Sequence, residues 1–126
     1  MSKDLNQLQK GKYLSLKTYR KNGEGVSSSV WFVEENLTFF VSTGPDTFKV
    51  RRIKKNSEVQ IASSKTSGKT NSDFIDAEAR ILTTDEIEPI IMLFRNKYRM
   101  FKLWSYFRNR NKEEREKQIY IEITPK

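Results

Sequence analysis

No cysteine occurs in the 126 residues, which excludes disulfides, thiolate nucleophiles and sulfur-ligated metal and removes any sign of an oxidising compartment. Histidine is absent as well, so imidazole acid-base catalysis is excluded. The reactive inventory is reduced to carboxylates, lysines, tyrosines and hydroxyls, which favours chemistry borrowed from a cofactor over a self-sufficient hydrolase. Long apolar runs are missing too: nothing approaches the ~20 residues a membrane helix needs, and the polar stretch Met1 to Gly11 has no signal-peptide core. A cytoplasmic location with no membrane partner is the expectation.

What the chain does have is positive charge. Twenty-four Lys plus Arg stand against sixteen Asp plus Glu, a net charge of +8. That balance favours anionic partners such as nucleotides, phosphorylated cofactors, nucleic acid or acidic lipid, with plain solubility as the competing explanation. Hydrophobic residues at 36% suffice for one core beneath an ionic surface, and the length predicts a single domain over residues 1–126.

Alternation predicts strands. Leu14, Leu16 and Thr18 share one face between Tyr13 and Arg20, and Lys21-Asn22-Gly23-Glu24-Gly25 turns into a second strand over Val26 to Val33. Glu34-Glu35-Asn36 is read as the next turn, Leu37 to Thr43 as a third strand, and Gly44-Pro45 as its stop. Asp46 is placed to cap a short helix from Thr47 to about Lys55, which Asn56 ends and which Phe48 and Ile53 would anchor in the core. Glu58 to Ser64 reads as a fourth strand and Ser67-Gly68-Lys69 as a loop. Phe74 to Leu82 is a fifth strand, with Ile75, Ala77, Ala79 and Ile81 inward and Asp76, Glu78 and Arg80 outward. Thr84 or Asp85 opens a helix whose Ile87, Ile90, Ile91, Phe94, Tyr98 and Phe101 recur at helical spacing. Arg108 to Lys117 is too charged to be buried, and Ile119, Ile121 and Ile123 mark a last strand that pairs with an early one to close the sheet. About six strands with a short basic helix and a late amphipathic helix predict a mainly β fold, an antiparallel barrel with helices lying on it.

Lys49, Arg51, Arg52, Lys54 and Lys55 follow a capped helix start, so cations and free amide hydrogens share one element. Phosphate suits such a place, though a solvated basic helix face explains the spacing about as well. Ser42 and Thr43, at the end of the preceding strand, add hydroxyls nearby and tip the balance slightly toward phosphate. Trp31 with Phe39 or Phe40 makes either the wall of a flat pocket or core, and Ser27, Ser28 and Ser29 either admit a planar ligand to the backbone or form the outer face of an edge strand. Arg95, Lys97 and Arg99 begin a run of bases interleaved with Tyr98, Phe101 and Trp104, the mixture single-stranded nucleic acid binding uses. Most of those aromatics fall on the helix's apolar stripe, so core or dimer contact is expected, with the bases as a solvated or anion-facing rim. Nucleic acid is therefore not the expected partner.

Thr18-Tyr19-Arg20-Lys21-Asn22-Gly23, Val30-Trp31-Phe32, Thr43, Lys49-Val50-Arg51-Arg52-Ile53, Asn56, Ala77-Glu78-Ala79-Arg80-Ile81 and Ile121-Glu122-Ile123-Thr124-Pro125 carry a resemblance in the expected order. The chain resembles the split-barrel flavin-binding superfamily related to pyridoxamine 5'-phosphate oxidase, specifically its branch of small deazaflavin (coenzyme F-420)-dependent oxidoreductases. That resemblance implies an antiparallel split barrel and a homodimer with F-420 or FMN in a groove between subunits. It places the phosphate on Lys49 and Arg52 with Thr43 beside them, and Ser42, Thr47, Ser28, Ser29 and Trp31 are taken as further cofactor contacts. It implies an enzyme moving a hydride between the ring and a small organic substrate, with no protein residue reacting covalently. Ser29 departs from the proline common before Val30-Trp31 in this branch. A barrel that binds single-stranded nucleic acid, and one that stores or senses the cofactor without turnover, are the alternatives.

Overall fold

The computed structural model describes residues 13–44, 47–65, 70, 73–99 and 118–126. In chain order these form β1 (Tyr13–Tyr19), β2 (Gly25–Glu35), β3 (Thr38–Thr43), α1 (Phe48–Lys55), β4 (Glu58–Ser64), β5 (Ile75–Ile81), a 3-10 turn (Thr84–Glu86), α2 (Ile87–Arg99) and β6 (Ile119–Pro125). The strands close into an antiparallel barrel in the order β1-β2-β3-β6-β5-β4. The expected closure by the last strand is observed: Ile121 of β6 lies between Val41 of β3 and Ile81 of β5.

The period-2 pattern explains why these segments are strands and which way they face. Leu14, Leu16, Phe32, Phe39, Val41, Ile61, Ala77, Ile121 and Ile123 fill the barrel with essentially no exposure, while Asp76, Glu78 and Arg80 alternate outward as read from the sequence. Burial of each large aliphatic or aromatic side chain contributes about 1.5 to 3 kcal/mol, so this interior is the main stabilising term. The narrow Ala77 and Ala79 leave room at one wall for Ile53, which α1 inserts into the same cluster.

A second cluster lies outside the barrel wall. Ile87, Ile90 and Phe94 of α2 cover Val33, Phe40, Leu82 and Tyr120, and Trp31 lies partly buried against them. The helix starts as its sequence demands: Glu86 accepts the Thr83 backbone N–H at 2.9 Å in a capping box, and Pro89 falls in the first turn, where its missing N–H breaks no bond. Arg80 ties this start to the sheet by reaching Glu86 at 2.9 Å and Glu122 at 3.2 Å.

Two local expectations change. The β2–β3 hairpin does not turn at Glu34-Glu35-Asn36; Glu35 pairs with Thr38, so Asn36 and Leu37 are the two loop residues, with φ of 53° and 66°. Positive φ at both positions is the turn whose twist matches that of the flanking strands, and the Leu37 N–H donates to Glu34 Oε2 at 2.7 Å to hold it. Phe48 does not anchor α1 either: it is 67% exposed, and Val50 with Ile53 forms the buried face. Five residues apart on a helix is about 140° around the axis, so Phe48 and Ile53 cannot share a face, whereas residues three apart can. The residue at the N-cap of α1 is Thr47, without a side-chain cap bond, and Asp46 lies outside the described residues, as do Pro45, the loop around Gly68, Phe101, Trp104 and the charged run to Lys117.

One irregularity of the sheet bears on function. β2 pairs with β1 over Gly25 to Trp31 and with β3 only over Phe32 to Glu35. The β2–β3 ladder stops at Phe32↔Val41; continued, it would set Trp31 against Ser42 and Val30 against Thr43. Among the described residues, the Gly25 to Trp31 half of β2 has no strand on its second edge, so backbone donors and acceptors line one side of the place where the two strands part.

Candidate functional site

Where β2 and β3 separate, Ser42 and Thr43 end β3, and α1 begins five residues after Thr43. Thr43 is buried, and its hydroxyl lies 3.3 Å from that of Thr47, so the two hydroxyls couple the strand end to the helix start. Ser42 donates to Gln118 Oε1 at 3.2 Å, which ties the same strand end to the approach of β6. Lys49 follows in the first turn of α1, partly buried. Burial, then the nearby Arg52 charge, pushes its ammonium below the ordinary lysine value. Two cations held close on one helix face raise each other's energy until an anion joins them.

Arg52 is half-buried and donates from Nη1 to the Thr18 hydroxyl at 3.4 Å, with its guanidinium 5.6 Å from the centre of the Phe48 ring. Lys49 and Arg52 thus share a face as their spacing predicts, and Thr18 on β1 orients the arginine, a contact the sequence did not announce.

The β2 residues divide. Ser28 alternates with Val26 and Val30 on the half-buried side of the strand, and its hydroxyl oxygen is buried with no hydrogen-bond partner among the described residues. Ser29 points the other way and exchanges a hydrogen bond with Ser64 across the sheet at 3.2 Å. Trp31 belongs to the cluster under α2 with Phe40, whereas Phe39 is in the barrel interior, so the two phenylalanines do not share one wall with the tryptophan. Lys97, expected on a solvated rim, is instead half-buried, with its ammonium 2.8 Å from the Phe32 carbonyl and 3.6 Å from the centre of the Phe32 ring.

Next to this region opens a cleft of about 730 Å³. Its floor and one wall come from Phe48, Arg51, Arg52 and Lys55 of α1, and the opposite wall from Tyr19, Arg20 and Lys21 at the β1–β2 turn. The turn is held by Gly23, whose φ of 88° suits glycine and whose N–H donates to the Arg20 carbonyl at 2.8 Å. Tyr19, Arg20 and Lys21 were not singled out as site residues from the sequence; only the charge of the turn hinted at them.

Chemically, this arrangement suits anions. Among the described residues no group of acids could hold a metal ion, and no helix is long and apolar enough to cross a membrane. The hydroxyl and cation donors at Thr43, Thr47, Lys49 and Arg52 suit a phosphate, and the unpartnered Ser28 hydroxyl beside an open strand edge suits the polar rim of a flat ring.

No protein-family model and no curated protein sequence matches the chain. Solved structures do. An F420 reductase superposes with a TM-score of 0.64 at 14% identity, covering 100% of this chain and 95% of that one. The heme storage protein HutZ from Vibrio cholerae gives 0.67 at 17% identity over 96% of this chain and 86% of its own. A pyridoxamine 5'-phosphate oxidase-related, FMN binding protein from Nostoc punctiforme PCC 73102 gives 0.61 at 12% identity over 97% and 74%. These likenesses, together with the closed six-stranded order and the parting of β2 from β3, establish the fold as a split barrel of the pyridoxamine 5'-phosphate oxidase-like type.

Proposed function

We propose that this chain binds a phosphorylated redox ring, coenzyme F-420 or FMN, where β2 and β3 part, and works as an oxidoreductase on a small organic substrate. What supports the reading is the Lys49 and Arg52 pair on one face of α1, the coupled Thr43 and Thr47 hydroxyls at its start, and the stretch of β2 that has no ladder with β3 among the described residues. Lys49 and Arg52 would hold the phosphate, with Thr43 and Thr47 giving hydroxyl donors and Thr18 keeping the arginine in place. Ser28 and the β2 backbone from Gly25 to Val30 would orient the ring, and Ser42, Ser29 and Trp31 support the walls from behind. The cofactor, when bound, supplies the hydride chemistry; the protein's part is to bind, to orient one face and to limit water.

Fold relatives include a protein named for heme storage, but this chain offers neither histidine nor cysteine as an axial iron ligand, which favours the phosphorylated ring. A second copy of the chain would complete the groove over the exposed β2 edge, giving a homodimer in the cytoplasm.

Titration with FMN and with F-420, followed by absorbance, tests the reading. Lys49→Ala is expected to weaken binding by about tenfold or more, since a charge-assisted hydrogen bond contributes about 1.5 to 3 kcal/mol. Equal affinity in wild type and variant, or no binding of either cofactor, would remove this assignment.

A further inference from the structure

The α1 cleft is not used up by a phosphate on Lys49. Phe48, Arg51, Arg52 and Lys55 recur at spacings of three and four residues and so form one stripe of the helix, away from the Val50 and Ile53 face that enters the core. Lys49 lies off that stripe and does not line the cleft; Arg52 stands at the border of both. Bases at the last turn of a helix are ordinary complements to its dipole, which accounts for Arg52 and Lys55. It does not account for Arg20 and Lys21, which the β1–β2 turn brings from the other side, nor for an aromatic ring left 67% exposed between two guanidinium groups, each 5.6 Å from its centre.

Among the described residues eight line the cleft; five of them are cationic and none is acidic. Arg20 lies 4.0 Å from Glu24 in an exposed pair that water screens. Among the described residues this pair leaves most of the charge uncompensated. A simple anion would satisfy the charge and leave Phe48 in water; an apolar ring would cover Phe48 and leave the charge. A ligand joining an aromatic ring to two or more anionic groups does both, because ring stacking and cation contacts act together. The volume, about 730 Å³, is that of a pocket for one such molecule. Single-strand binding instead stacks successive bases on a row of aromatics, and among the described residues the cleft presents the exposed Phe48 ring and a half-buried Tyr19 rather than such a row.

We propose that the cleft between the β1–β2 turn and α1 is a second ligand site that takes a nucleoside diphosphate or triphosphate, with the base on Phe48 and the phosphates among Arg20, Arg51 and Lys55. The site goes beyond the cofactor reading and stands or falls separately from it.

Calorimetric titration of the full chain with ADP, pyrophosphate and adenosine at low ionic strength tests it. ADP is expected to saturate one site per chain and to bind more tightly than either fragment. The double variant Arg51→Ala/Lys55→Ala is expected to weaken ADP by about tenfold or more through loss of two charge-assisted contacts while leaving FMN or F-420 affinity unchanged. Lys49→Ala should do the reverse, and Phe48→Ala should weaken ADP more than pyrophosphate. Phe48, Arg51 and Lys55 are exposed and Lys49 is half-buried, and an unchanged melting temperature confirms that the variants fold. The proposal is overturned by absence of saturable ADP binding, by equal ADP affinity in the double variant, by tighter binding of a single-stranded oligonucleotide than of ADP, or by joint loss of ADP and flavin in Lys49→Ala. Loss of flavin binding in the wild type with ADP binding intact would end the cofactor reading alone.

Discussion

Lys97 shows how one side chain can couple the outer helix to the barrel at an electrostatic cost. Its stem crosses from α2 to β2, and the ammonium meets both the Phe32 carbonyl and the Phe32 ring. Burial lowers its pKa from 10.5 to about 8, although the Glu34 charge works in the opposite direction. The folded value lies below the unfolded one, so between those limits the unfolded chain holds a proton that the folded chain has released. Folding stability contributed by this residue therefore rises with pH from about 8 to 10.5 and is flat at lower pH. Urea denaturation of wild type and Lys97→Met across that window should show the difference between them moving in favour of the wild type; parallel curves would contradict the assignment. Nothing in the sequence distinguished Lys97 from Arg95 or Arg99, because helical spacing says which face a residue occupies and not how far a flexible stem reaches. Lys49 and Arg52 were legible for the opposite reason: their pairing depends only on a three-residue offset along one helix.

At the scale of elements, the strands with strict alternation and the amphipathic helix were readable because a periodic pattern needs only local information. β5 faces the interior with the four residues expected, β6 with its three isoleucines, and α2 buries Ile87, Ile90 and Phe94. Turns were harder. Leu37 continues an apolar run and so reads as strand, yet the pairing of Glu35 with Thr38 forces it into left-handed backbone. That conformation costs a branched residue about 1 kcal/mol relative to glycine, and Asn-Gly is the pair this two-residue turn prefers. Leu37→Gly is expected to raise stability by about 1 kcal/mol, less the small loss from its half-buried side chain. A lower denaturation midpoint in that variant would mean that the side chain's contacts outweigh the backbone strain. The misplacement of Phe48 is of the same kind: composition marked it as core, and only the angular position on the helix reveals it as a surface ring.

For the whole molecule, the fold class followed from counting alternating segments and from the ordered resemblance, while the site followed only in part. The candidate site residues were named from the sequence, but where they lie rests in part on the register at which β2 leaves β3, a non-local property with no local signature. The cleft beside them unites two segments about thirty residues apart and was invisible for the same reason. Barrel integrity is also non-local. A chain ending before Ile119 lacks β6, and so exposes the edges of β3 and β5 and uncovers the Tyr120 side of the cluster under α2. Such a truncation is expected to lose the cooperative thermal transition, as read by circular dichroism; a retained sharp transition would show that five strands suffice.

The position of β6 in the strand order has a consequence during synthesis. The sixth strand of the barrel is made after the other five and is inserted between two of them, so the nascent sheet waits as an open ribbon with two bare margins. Completion is then a single late event, and any helper that shields those margins acts in the interval before the final isoleucines emerge.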